Sequence, residues 1–215
     1  MRVYVHGAGS SGRDAWPFAP DEGAVFADLA GMPSVASKLD ALAELVPEGA
    51  VVLAHSWGAI PVVLAVAERR IQVARLVLLE PALYDVARGA PAVERHIASM
   101  TEARAHASDG RLFEYWSIVR PLMFGGPADR GIWDSEQAVA ARFAAIEPPW
   151  GYDLAAEMVS GVPTVVITGG WNDEYEAIAA ALTSAGAVHR QLVGARHRPQ
   201  DHPDFERLLL ETSTG

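Results

Sequence analysis

Val51-Val52-Leu53-Ala54-His55-Ser56-Trp57-Gly58-Ala59-Ile60-Pro61-Val62-Val63 is the stretch on which the reading of this chain turns. Its first residues form a short, β-branched apolar run of the kind found in buried strands, and Ala59 to Arg69 reads as a mostly apolar helix. Between them, Ala54-His55-Ser56-Trp57-Gly58 matches the pattern G-x-S-x-G, with alanine at the first glycine. A serine on such a turn is lifted above the sheet on a strained backbone. Small residues two positions to either side let strand and helix pass closely, and alanine is the next smallest side chain after glycine. The plain alternative is that Ser56 caps the helix starting near Trp57.

Outward from this turn, apolar runs alternate with helical patterns. Arg2 to Val5 is a short strand stopped by His6-Gly7-Ala8-Gly9-Ser10-Ser11-Gly12, and Ala24 to Ala27 is a second run. Pro33 to Val46 carries Val35, Leu39, Leu42 and Leu45 at helical spacing, with Pro33 suited to the helix start. Leu76 to Leu79 is a strand broken by Glu80-Pro81. Thr164 to Ile167 is another, ending at Gly169-Gly170. Tyr175 to Ala185 reads as a helix, Val188 to Val193 as a last strand and Phe205 to Glu211 as a closing helix. Continuous apolar strands separated by helices predict an open, doubly wound α/β fold with a mainly parallel sheet. Ligands in such folds bind beyond the carboxyl ends of the strands, so the residues after each run are those to examine.

Residues 84–152 break the alternation. Helical patterns near Pro91 to Ala107, Leu112 to Val119 and Ser135 to Ile146 predict an all-helical insertion, a cap within a single domain spanning 1–215. Most aromatics there should serve helix packing. Trp116, Phe124 and Trp133 are the candidates for lining a substrate pocket.

Composition removes several classes of function. The 215 residues include 17 Lys and Arg against 27 Asp and Glu, a net charge of −10, which disfavours nucleic acid and anionic membrane surfaces as partners. With no cysteine, disulfide scaffolds, thiolate metal sites and cysteine nucleophiles are excluded together. The longest apolar stretch, Ala59 to Ala67, is far short of a membrane span. A strand beginning one residue after Met1 leads us to expect no signal peptide and a cytoplasmic location. Whether the chain pairs as a homodimer is open. The histidines show no metal-ligand spacing with a third partner, so no metal is expected, and no cofactor.

A serine hydroxyl needs a base. Val193-Gly194-Ala195-Arg196-His197 delivers a histidine directly after the last strand, and His202, beside a helix start, is the competitor. Acyl transfer also needs preorganised donors for the oxyanion. The amides of Trp57 and of Ala8, in the loop after the first strand, are the expected pair. Gly7 to Gly12 also matches G-x-G-x-x-G. The next residues, Asp14 to Pro20, are proline-broken loop rather than the helix a dinucleotide site requires.

On His6-Gly7-Ala8-Gly9, Ala54 to Gly58 and Gly194 to His197, the chain resembles the α/β-hydrolase superfamily in a compact, capped form. The resemblance spans essentially the whole chain and implies a sheet of about six strands, lacking the first two common in that family. It also implies that the triad acid follows the strand after the cap, three residues beyond a glycine. Gly169-Gly170-Trp171-Asn172-Asp173 puts Asn172 there and Asp173 one further. Glu80 is the second candidate, since some family members resemble this chain in placing their acid on that neighbouring strand. The resemblance then implies a serine hydrolase acting on a small to medium, largely apolar ester, thioester or lactone. The alternatives are a carbon–carbon bond hydrolase or lyase on the same triad, or a ligand-binding protein whose triad is degenerate at Asn172.

Overall fold

A computed structural model describes residues 1–211. The chain forms two compact units, one made of Met1–Arg88 with the chain from Pro149 onward, the other of Gly89–Pro148. The first holds a sheet of six parallel strands, β1 (Arg2–Val5), β2 (Ala24–Ala27), β3 (Ala50–His55), β4 (Val73–Leu79), β5 (Thr164–Thr168) and β6 (Val188–Gln191). Their order is β2-β1-β3-β4-β5-β6, so the winding reverses between β1 and β3. In open parallel sheets the crevice at that reversal is where ligands bind.

Register sets what meets there. Val5 pairs with Ala54, His55 with Leu79, and Leu79 with Ile167. The next residues, His6, Ser56 and Glu80, therefore leave three adjacent strands at nearly the same level, with Thr168 and Gly169 beside them. Both faces of the inner strands are apolar and buried, and Val3, Val5, Val52, Leu53, Leu76 and Leu78 are fully enclosed. Each such side chain contributes about 2 kcal/mol to folding.

The helices of this unit are α1 (Val35–Leu45), α2 (Ala59–Ala67), α6 (Asp173–Ser184) and α7 (Phe205–Glu211). Helix α1 starts two residues later than Pro33 suggests. Ser34 is its cap, accepting from the Ser37 amide at 3.1 Å, while the Ser37 hydroxyl returns the interaction in a capping box. Helix α6 starts two residues earlier than expected because Asn172 caps it.

The second unit is helical throughout: α3 (Pro91–Ser108), α4 (Leu112–Met123) and α5 (Trp133–Ala144), with no strand among its residues. Tyr115, Trp116, Val119, Ala103 and Ala140 form its core. The unit is narrower than the expected 84–152. Tyr84–Ala87 is a 3-10 turn of the sheet unit, and the Asp85 carboxylate accepts the amides of Gly151 and Tyr152 at 2.9 and 2.8 Å. That carboxylate ties together the segments flanking the helices. No helix among the described residues is long and apolar enough to cross a membrane.

Candidate active site

Strand β3 ends at His55, and Ser56 adopts φ +52°, in the left-handed region that non-glycine residues avoid. Holding it there costs of the order of 1–3 kcal/mol, which the surrounding packing must over-determine. The Ser56 carbonyl accepts the Ala82 amide at 3.1 Å, anchoring the turn to the segment after β4. A 3-10 turn, Ser56–Gly58, then runs into α2. The residue capping α2 is Gly58, so Ser56 is not the helix cap. Gly58 has no room for a side chain, because a Cβ there would lie 2.3 Å from the His6 carbonyl oxygen. Gly7 is as confined, its Cβ position being 2.8 Å from His55 Nδ1 and 3.0 Å from Ser56 Cβ.

His197 follows β6, and its Nε2 lies 3.0 Å from Ser56 Oγ. Its Nδ1 lies 3.5 Å from Glu80 Oε2, an ion-pair distance rather than a closed hydrogen bond. Such contacts commonly tighten when substrate binds. Glu80 is fully buried, directly after β4, at φ +43°. Its carboxylate accepts the Gly169 amide at 2.6 Å and the Trp171 indole N–H at 3.1 Å. These donors satisfy its oxygens. A carboxylate only accepts, so the His197 proton belongs on Nδ1 and the Nε2 lone pair faces the serine.

Of the expected catalytic residues, the structure brings together Ser56, His197 and Glu80. Asp173 is exposed in the first turn of α6. Asn172, at the spacing where the resemblance implies an acid, spends its side-chain oxygen on the Glu174 amide at 2.9 Å. His202 accepts the Asp204 amide on Nδ1 at 3.2 Å, a local role ahead of α7.

Of the expected oxyanion donors, Trp57 directly follows Ser56 in the 3-10 turn, and its ring lies edge-on to Tyr152 at 6.5 Å and under Lys38 Nζ at 5.1 Å. Ala8 is exposed at the tip of the loop after β1. That loop is held by His6. Its Nε2 accepts the Leu29 amide at 2.9 Å, so Nδ1 carries the proton and donates to the Gly7 carbonyl at 2.8 Å. Beyond Gly12 the chain makes only a 3-10 turn, Gly12–Ala15, before reaching β2.

Sequence reasoning assigned no catalytic role to four of the neighbours. His55 is buried, and its Nε2 donates to the His197 carbonyl at 2.7 Å. Burial, then the neighbouring His197, hold its pKa well below the ordinary histidine value. It therefore stays neutral, with Nδ1 buried and unpartnered. Trp171 clasps Glu80, and Tyr175 packs its ring 5.1 Å from that of His197. His6 pins the loop as described. Only the position of His55 beside the serine was a local signal. The other three meet the site through contacts far apart in sequence. His96 is buried in α3.

Within the helical unit, Trp116 is committed to the core and its indole N–H donates to Glu136 at 2.6 Å, while Arg120 donates to the same carboxylate. Trp133 stands edge-on to Phe113 at 5.2 Å, and Phe124, 54% exposed, packs at 5.5 Å on Trp116. No group of three or more His, Asp or Glu among the described residues could hold a metal ion.

A sequence model of the Alpha/beta hydrolase family matches residues 3–205. No curated protein matches the chain. Among solved structures, a hydrolase from Oleispira antarctica is similar with a TM-score of 0.68 at 14% identity, over 100% of this chain and 91% of that one. A carboxylesterase of the thaumarchaeon Nitrososphaera gargenis aligns with a TM-score of 0.61 at 12% identity, over 98% of this chain and 88% of its own. A bromoperoxidase from Bacillus anthracis aligns with a TM-score of 0.60 at 14% identity, over 100% and 91%. At these identities the likeness is one of fold.

Proposed function

The chain belongs to the alpha/beta hydrolase family, and from that premise we propose that it is a serine hydrolase. Its substrates are esters, thioesters or lactones with small to medium, largely apolar acyl groups. The observation that carries this reading is the alignment of Ser56 Oγ, His197 and Glu80, with contacts of 3.0 and 3.5 Å. His197 Nε2 accepts the serine proton as Oγ attacks the carbonyl carbon. The amides of Ala8 and Trp57 receive the oxyanion of the tetrahedral intermediate. The imidazolium, held opposite the buried Glu80 carboxylate, then gives its proton to the leaving oxygen or sulfur. Water, deprotonated by the same Nε2, attacks the acyl-enzyme, and Ser56 departs with the proton returned to it.

Trp57, Tyr152, Trp171 and Tyr175 around the serine and histidine support an apolar acyl group. The net charge of −10 weighs against polyanionic substrates. Asn172 no longer argues for a degenerate triad, because its amide serves as a helix cap while Glu80 stands beside the histidine.

The test is labelling with a fluorophosphonate, alongside a panel of p-nitrophenyl esters of increasing chain length. Ser56 should label and Ser56→Ala should not, and short and medium esters should turn over. A folded protein that neither labels nor hydrolyses any ester would sink the reading. Turnover confined to carbon–carbon or cyanohydrin substrates would redirect it to lyase chemistry.

A further inference from the structure

We propose that His55 is a positioning residue for the general base, its Nε2–H holding the His197 main chain so that the imidazole stays within reach of Ser56 Oγ. The inference rests on the serine-hydrolase reading above and adds to it the group that fixes the base.

His55 is the last residue of β3 and is 4% exposed. Its Nε2 lies 2.7 Å from the His197 carbonyl oxygen, and the two rings pack at 4.9 Å. A carbonyl only accepts, so the proton of the neutral ring is on Nε2. Nδ1 is left with a lone pair, buried and without a partner. It lies against Gly7, where a Cβ would be 2.8 Å away. A buried nitrogen with no partner is destabilising, so for packing alone an apolar side chain would serve better. What histidine supplies here, and an apolar residue cannot, is the bond to His197.

His197 needs such an anchor. It sits in the loop that leaves β6 at Gln191, where Gly194 and Arg196 take φ +93° and +49°. A turn closes around it, the Arg198 amide donating to the Ala195 carbonyl at 3.1 Å. Among the described residues, His55 supplies the one hydrogen bond to the main chain of His197 itself. His55 is also joined covalently to Ser56, whose Oγ lies 3.0 Å from His197 Nε2. The contacts therefore close a ring: His55 to Ser56 along the chain, Ser56 to the His197 imidazole, and the His197 carbonyl back to His55. Without the last link the base is held from its side chain alone, by Ser56 and by Glu80 at 3.5 Å. A displacement of about 1 Å between reacting groups costs up to about a hundredfold in rate.

Three variants separate the donor from the bulk of the ring. In His55→Gln the side-chain amide nitrogen reaches about as far as the histidine Nε2 and keeps a donor there. In His55→Asn it stops short, and His55→Leu has no donor. With p-nitrophenyl butyrate, His55→Leu and His55→Asn should lose roughly ten- to a hundredfold in kcat with KM within about twofold. Fluorophosphonate labelling of Ser56 should slow in the same proportion. His55→Gln should stay within about threefold of wild type, because the bond is kept. Assays run well below the lowest melting temperature, and if His55→Leu does not fold, the glutamine and asparagine pair carries the comparison. Turnover near wild type in His55→Asn, equal losses in His55→Gln and His55→Asn, or losses that follow melting temperature rather than the donor would overturn the role given to His55 and leave the serine-hydrolase reading standing. Wild-type protein that neither labels nor turns over ester would overturn both.

Discussion

Replacing Glu80 by glutamine should abolish most turnover, and the structure sets the size of the loss. The carboxylate is fully buried, 3.5 Å from His197 Nδ1. At an effective dielectric of about 20, opposite unit charges at that 3.5 Å separation attract by about 5 kcal/mol. Losing that stabilisation of the imidazolium corresponds to roughly a thousandfold or more in rate. The amide adds a second defect. Gly169 N–H and the Trp171 indole both point at the side chain as donors, at 2.6 and 3.1 Å. A glutamine that keeps its oxygen on the closer donor, the Gly169 amide, places its NH2 at the Oε2 position that faces the imidazole. Nδ1 then becomes an acceptor, Nε2 carries the proton, and the ring cannot take the serine proton. Measured as kcat/KM on p-nitrophenyl butyrate, Glu80→Gln should fall by roughly three powers of ten. Asp173→Asn, on an exposed helix turn, should stay within about twofold, since surface changes away from the site are near neutral. Circular dichroism and the melting temperature control for folding. A tenfold or smaller loss in Glu80→Gln, with a hundredfold loss in Asp173→Asn, would refute the assignment and the electrostatic reasoning together.

Gly58→Ala should destabilise by about 3 kcal/mol, because its Cβ would lie 2.3 Å from a backbone oxygen that cannot swing aside. An unchanged urea midpoint would contradict the close approach. Asn172→Ala should cost about 1 kcal/mol through loss of the α6 cap while leaving activity within an order of magnitude. Asn172→Asp should restore the stability, and a hundredfold activity loss in the alanine variant would mean that Asn172 acts in the triad. His55 has a folded pKa well below its unfolded value, so the unfolded chain takes up the proton first as the pH drops. Stability contributed by neutral His55 is thus fully present above about pH 6.5 and declines below it, by about 1.4 kcal/mol per pH unit. Urea unfolding of wild type and His55→Gln on either side of that pH checks this, and equal slopes for the two would rule it out.

The elbow, the histidine loop and the alternation of strands and helices were legible because each is local. A β-branched run, a small residue at a tight crossing and a histidine just after a strand are short-range consequences of backbone geometry. Asn172 was also legible in principle, since Asn-Asp-Glu ahead of an apolar helix is a helix-start signal. Counting three residues from a glycine drew attention to its place in the triad instead. The start of α1 was displaced in the same way, Ser34 and Ser37 forming the cap one residue beyond Pro33.

Sequence alone determined the class of sheet and pointed to Ser56 and His197 as candidate nucleophile and base, with Glu80 or Asp173 as candidate acid. Tertiary structure brings Glu80, and not Asp173, beside His197. The register of β3, β4 and β5 sets Ser56, Glu80 and Gly169 side by side at the sheet's carboxyl edge. It also supplied what no spacing encodes: His55 on the His197 carbonyl, Trp171 on Glu80, and Tyr175 against the His197 ring. Local sequence specifies backbone conformation within a few residues. Which side chains then meet depends on strand order and register, and those are set by the packing of the whole sheet unit.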